Sequence, residues 1–215
     1  MRHPVPPAWY PDWTGRVAAV IACGPGVRHV QLDLLRGRCA VLAVKEAADM
    51  APWADAIYCC DTAFWRNWHA MPKFGGLKVT YSARIPGVHP VGIDIDADRF
   101  VMTPGIIGNG GNSGFQAVNL ALQWGARRVI LIGFDMTDTN GVHFYGRATG
   151  DGRTNPSQRN FQRWVRAFDA AAMQLPALKS AIINATPYSA LTCFPKMDLA
   201  AALAEFLPVS DELVA

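Results

Sequence analysis

The sequence predicts one α/β domain built on a doubly wound, mostly parallel sheet, and two observations carry that expectation. Short, nearly continuous apolar runs recur along the chain, as strands buried on both faces require. Between them lie segments with helical spacing or turn residues, so strand and helix alternate from residue 16 onward. The predicted architecture is Rossmann-like, a single domain over 16–215 behind an N-terminal extended arm at 1–15. Ligands of such sheets bind beyond the carboxyl ends of the strands, near the point where strand order reverses.

Proline and aromatic residues from Pro4 to Trp13 read as the extended arm. The first strand is Arg16 to Cys23; Gly24-Pro25-Gly26 breaks it, and Val27 to Leu35 has the spacing of a short helix. A second strand fits Cys39 to Val44, with a helical piece from Glu46 to Met50. The third, Ala56 to Cys60, ends at Asp61 and leads into the aromatic helix Phe64 to Trp68. Leu77 to Tyr81 gives a fourth. From Arg84 to Met102 the pattern is ambiguous, with minor strands expected at Val91 to Ile95 and Phe100 to Met102. A glycine-rich segment, Gly105 to Gly111, precedes a helix from about Ser113 to Trp124, which Gly125 ends. Arg128 to Phe134 is a strongly apolar strand, and a long polar loop runs from Asp135 to about Pro156. An amphipathic helix from Ser157, a strand at Ala181 to Asn184 and a helix near Asp198 to Phe206 complete the series.

Composition bounds the function. Of 215 residues, 51% are hydrophobic and 17% charged, a globular balance that argues against extended disorder. The formal charge of +3 is spread along the chain, which permits an anionic ligand without demanding nucleic acid. Five cysteines (Cys23, Cys39, Cys59, Cys60, Cys193) show no CxxC spacing and read as small core residues in a reducing compartment. The first residues lack the apolar run of a signal peptide, and no apolar run approaches the ~20 residues of a membrane span. A cytoplasmic location with no membrane partner is the resulting expectation.

The candidate site follows from the strand ends: Gly24 to Gly26, Cys60-Asp61, Tyr81-Ser82, Phe134-Asp135 and Asn184 to Thr186. Gly24, Pro25 and Gly26 form a tight turn whose lack of side-chain bulk lets a phosphate approach backbone N–H groups, or serves only as a β–α turn. The turn is not a GxGxxG fingerprint and specifies no dinucleotide. Gly110, Gly111, Asn112, Ser113 and Gly114 belong to the most distinctive segment, where Asn112 or Ser113 can cap the next helix. Four glycines between 108 and 114 exceed what a cap needs, which favours a ligand loop. Asp61 and Asp135 follow strands directly, where a carboxylate can bind a ribose hydroxyl, hold a metal, act as a base or cap a helix. His143 lies in the long loop and is the candidate general acid or base, with Arg147, Arg153 and Arg159 nearby as candidate anion ligands. Asp94, Asp96 and Asp98 superficially suggest a DxD metal motif but read as an exposed strand edge, so no metal residue is assigned. The tryptophans at 53, 65, 68, 124 and 164 read as packing residues. No P-loop, GxSxG, HExxH or kinase signature occurs.

The strand ending in Gly24-Pro25, the Pro52-Trp53-Ala54-Asp55 segment, Asn112-Ser113-Gly114-Phe115-Gln116-Ala117, Gly125-Ala126-Arg127-Arg128-Val129, Ile132-Gly133-Phe134-Asp135, Asn184-Ala185-Thr186-Pro187 and Ser189-Ala190-Leu191 form one pattern. It resembles a group of phage and prophage Rossmann-like proteins over most of the chain. More distantly, the layout is similar to bacterial sialyltransferases that use CMP-sialic acid, and to archaeal-type 6-hydroxymethylpterin pyrophosphokinases. The sialyltransferase resemblance implies nucleotide contacts at Gly24 to Gly26 and at Asn112 to Gly114, with His143 as the nearest counterpart of the family's base. His143-Phe144-Tyr145 differs from that family's His-Ser-Lys context. The leading expectation is a glycosyltransferase-like transferase with a nucleotide or nucleotide-sugar donor, compatible with magnesium but not requiring it. A metal-dependent pyrophosphoryl or nucleotidyl transferase and a non-catalytic nucleotide sensor or sponge are the alternatives. The acceptor stays open, a DNA base included, and a homodimer is compatible with the exposed aromatics.

Overall fold

The computed structural model describes residues 5–81, 84–150 and 154–207. Ser82 and Arg153, singled out in the sequence, lie outside the described residues. In chain order, the elements are β1 (Val17–Ile21), β2 (Ala40–Val44), α1 (Ala47–Met50), β3 (Ala56–Tyr58), α2 (Thr62–Asn67), β4 (Leu77–Thr80), β5 (His89–Pro90), β6 (Gly92–Asp94) and β7 (Ile106–Gly108). They continue with α3 (Ser113–Gln123), β8 (Arg128–Ile132), α4 (Gln158–Ala172), α5 (Leu175–Leu178), β9 (Ala181–Asn184) and α6 (Leu199–Phe206).

Seven strands form one sheet in the order β5-β4-β3-β2-β1-β8-β9, and every pair in it is parallel. The Rossmann-like, doubly wound α/β sheet predicted from the sequence is therefore the one observed. β1 is central and apolar throughout because both its faces are covered. Val17, Ala19 and Ile21 point into one core layer with Ala47, Phe64, Trp65 and Leu203. Ala18 and Val20 point into the other with Phe115, Leu120 and Phe168. Helices α3 and α4 thus cover one face, and α1, α2 and α6 the other.

Three local expectations are corrected. The segment from Val27 to Leu35 is not one helix but two short 3-10 turns, Pro25–His29 and Leu32–Leu35. The second turn hands the chain to β2, where Cys39 is already buried. Phe100 to Met102 forms no strand. Instead, part of the glycine-rich segment becomes β7, which pairs with β6 as a separate two-stranded parallel ribbon. A Cβ at Gly108 would collide with the Arg99 carbonyl, so that close approach requires glycine.

Helix α3 holds this ribbon through a ladder of side-chain amides. Asn119 accepts hydrogen bonds from the Val101 and Gly108 N–H groups at 2.9 and 2.8 Å and donates to the Val101 carbonyl at 2.8 Å. One turn earlier, Gln116 donates to the Asn109 carbonyl at 2.9 Å and accepts from the Tyr58 hydroxyl at 3.0 Å. One turn later, Gln123 donates to the Ile106 carbonyl at 2.6 Å. Positions 116, 119 and 123 share one helix face, so a single stripe satisfies an irregular stretch of backbone. Tyr10, in the arm, joins the same network through Gln123 at 2.8 Å, and Trp13 packs edge-on against Trp124.

Candidate functional site

Strand order reverses between β1 and β8, and the chain leaves those two strands toward opposite sides. A crevice at such a reversal is where open α/β sheets bind ligands. Here it is a cavity of about 110 Å³ lined by Cys23, Gly24, Lys45, Asn112 to Gly114, Phe134 to Thr137, His143 and Trp164, among others. A second lobe of about 310 Å³ adjoins it, lined by Glu46, Cys60, Asp61, Tyr81 and Tyr145. Lys45 and His143 line both lobes.

The β1 and β8 ends stay paired beyond the strands, with the Gly24 N–H donating to the Gly133 carbonyl at 2.9 Å. Asp135 then turns back onto the glycine turn. Its buried carboxylate accepts the Gly26 N–H through both oxygens, at 2.9 and 3.2 Å. A Cβ at Gly24 would collide with this carboxylate and lie 2.5 Å from the Gly133 carbonyl. The glycine is thus required by the approach of Asp135. Burial pushes the Asp135 carboxyl up to about 6, with the Gly26 hydrogen bond pulling the other way. The segment that follows β9 holds the Phe134-Asp135 backbone. The Thr186 hydroxyl accepts the Phe134 N–H at 2.9 Å, and the Ser189 hydroxyl donates to the Phe134 carbonyl at 2.5 Å. The Ala190 N–H donates to the Asp135 carbonyl at 2.8 Å.

Lys45 follows β2 directly, in the left-handed backbone region (φ 53°). Met136 opposite has the same conformation (φ 54°). Two non-glycine residues at such angles on one cleft cost on the order of 1–3 kcal/mol each, the kind of strain that collects at functional sites. The Lys45 ammonium forms an ion pair with Asp61, at the end of the β3 connection. Burial works against the lysine's charge, but the Asp61 carboxylate beside it outweighs this and holds the group above the ordinary lysine range. For Asp61 too burial opposes charge, and Lys45 overrides it, holding the carboxyl below the usual carboxylate range.

Ser113 and Asn112 close the floor from the α3 side. Asn112 caps the helix, accepting the Phe115 N–H at 2.9 Å. The buried Ser113 hydroxyl accepts the Cys60 N–H at 3.1 Å and donates to the Cys60 thiol at 3.0 Å, tying α3 to the end of β3. Burial raises the Cys60 thiol to about 11, so it stays protonated. Gly110 and Gly111 have positive φ (53° and 76°) and answer to packing: a Cβ at Gly110 would collide with Phe115, and one at Gly111 would lie 3.1 Å from Trp164. Trp164 in turn donates to the Gly111 carbonyl at 2.8 Å.

The long loop is tethered midway, where the Phe144 N–H donates to the Cys23 carbonyl at 2.8 Å. That bond sets His143 at the junction of the lobes, its ring stacked on Tyr145 (centroids 4.9 Å apart, 16° between planes). A second clasp joins Asn155 to both backbone groups of Ala148 at 2.8 and 2.9 Å.

No protein-family profile and no curated protein matches the chain. Among solved structures, the chain is similar to the sialyltransferase CstII from Campylobacter jejuni, determined in complex with a substrate analogue, CMP-3FNeuAc. The two are 12% identical, with 85% of this chain and 86% of that chain covered at a TM-score of 0.50. They share a fold.

Of the residues singled out in the sequence, the structure brings Gly24, Asn112, Ser113, Gly114, Asp135 and His143 together at the first lobe, and Asp61 and His143 at the second. Pro25, Gly26, Gly110 and Gly111 stand behind the lining, as does Asp135's hold on the Gly26 amide. Arg147 and Arg159 are exposed and line neither lobe. Asp94 and Asp98 sit away from the crevice, facing Arg99 and Arg163. Among the described residues, no group of three or more His, Cys, Asp or Glu is placed to hold a metal ion. None of their helices is long and apolar enough to cross a membrane. Sequence reasoning missed Lys45 and took Trp164 for packing alone. The available signal was position: Lys45 is the polar residue that directly ends a buried strand.

Proposed function

We propose that the crevice binds a nucleotide and that the protein is a transferase using a nucleotide-sugar donor. The observation that carries this reading is the pair Lys45 and His143 on the wall common to both lobes at the sheet's reversal point. A cation at that junction neutralises the phosphate of a donor, and an imidazole there reaches an acceptor hydroxyl. The fold neighbour, solved with a CMP-sugar analogue, supports the donor class. In the transfer, the anomeric carbon–phosphate oxygen bond breaks and a bond to the acceptor oxygen forms. The acceptor proton passes to His143, and the leaving phosphate keeps the electron pair beside Lys45. Asn112 and Ser113 shape the floor, and Asp135 acts by fixing the glycine turn.

The test is calorimetry and thermal shift of the full chain with CMP, UDP and their sugar conjugates, with and without magnesium. Native-state ligands raise the melting temperature by mass action. A shift with a sugar nucleotide, together with donor hydrolysis or transfer that falls at least about 100-fold in His143→Ala while donor affinity stays within about twofold, supports the reading. Binding without turnover in any acceptor mixture assigns a sensor instead, and a response confined to ATP with magnesium assigns pyrophosphoryl transfer.

A further inference from the structure

Two groups able to meet an anion, the Lys45 ammonium on the crevice wall and the Gly26 N–H behind its lining, are engaged by the chain's own carboxylates. The Gly26 N–H is held by Asp135, and the Lys45 ammonium by Asp61. Among the described residues, Lys45 is the only lysine or arginine lining the first lobe. An incoming phosphate therefore finds its counter-charge already paired.

The two carboxylates differ in one decisive respect. Asp135 is 4% exposed and fixed by two hydrogen bonds to the Gly26 amide, with its backbone held by the Ala190 N–H after β9. The Asp61 side chain is 49% exposed and that of Lys45 30%, so their pair opens onto the second lobe. Partly exposed ion pairs contribute at most about 1 kcal/mol and are readily exchanged. We propose that Asp61 is a displaceable stand-in for the ligand's phosphate: Lys45 leaves Asp61 for the bound anion, and Asp61 sets the affinity threshold for phosphate-bearing ligands. This rests on the nucleotide reading above and gives Asp61 a role distinct from holding a ribose. The exchange forms and breaks no covalent bond.

The experiment is isothermal calorimetry of the full chain with the four nucleoside monophosphates and with their nucleosides, for wild type, Asp61→Asn, Asp61→Ser and Lys45→Met. The expected result is that both Asp61 variants bind the preferred monophosphate about three- to fivefold tighter, the equivalent of up to about 1 kcal/mol. Nucleoside affinity stays unchanged, and Lys45→Met weakens the monophosphate at least about tenfold. Weaker binding of monophosphate and nucleoside alike in the Asp61 variants would assign Asp61 to the ribose and overturn the inference. Unchanged monophosphate affinity in both variants overturns it as well, while leaving the nucleotide reading intact. If wild type binds none of the eight ligands, the nucleotide reading fails and the inference with it. Circular dichroism on each variant separates a folding defect in one substitution from the behaviour of the other.

Discussion

Asp135 shows how a single side chain can shape a turn and leave a thermodynamic signature. A buried carboxylate that accepts one amide retains part of the desolvation cost of its charge, which is why its proton is held until about pH 6. An unfolded aspartate titrates near 3.9. The folded value being the higher one, the stability it contributes is full below about pH 4 and lost as the pH rises through 6. The melting temperature of wild type minus that of Asp135→Asn is therefore expected to be more positive at pH 5 than at pH 7.5, read by scanning calorimetry. A pH-independent difference would show that Asp135 is not the titrating group. At Gly110 the constraint is conformational and steric together, with φ at 53° and the Phe115 ring in the way. Gly110→Ala is expected to destabilise by roughly 2 kcal/mol or more in urea unfolding. At this scale the sequence was only partly legible. Asn112 as a helix cap and Asp135 beside a strand end could be read from residue type and place. That Asp135 folds back onto Gly26 could not, because residues distant in sequence meet there. Lys45 was overlooked because a lysine after a strand has an ordinary solvent-facing explanation until Asp61 is seen beside it.

Helix α3 is the element that converts the sheet into a site. Its amino end presents Asn112 and Ser113 to the crevice, and its Gln116, Asn119 and Gln123 stripe fixes the backbone from Val101 to Asn109. Asn119 is fully buried, so removing it strands three backbone groups with no solvent to replace it. Asn119→Leu, close in size, is expected to cost about 2–4 kcal/mol and to raise amide exchange at Val101 and Gly108 before the sheet is affected. Equal exchange throughout the chain would show that the ribbon does not open on its own. The long apolar strands and the two long helices were legible because period and length agree over many residues. β7 was not, since three residues that pair only with another three-residue strand look like a glycine loop. The segment after Gly24 kept helical spacing yet closed as tight turns, for the chain must reach β2 within a few residues of Leu35.

For the whole molecule, the two core layers meet across β1 and β8, whose residues are buried on both faces apart from Arg128. Native-state hydrogen exchange should be slowest at Ala18 to Val20 and Val129 to Leu131, and faster at the two-residue edge strand β5. The same centrality has a consequence for how the protein is made. β1 receives β2 almost at once as the chain is synthesised, but its other neighbour, β8, begins only at Arg128. Until the ribosome has passed that point, one flank of the most apolar strand is a bare row of amides and carbonyls, available to any extended segment nearby. A polypeptide released before Arg128 is complete in most of its strands and still sticky at its centre, so premature termination threatens solubility more than loss of the final helix does.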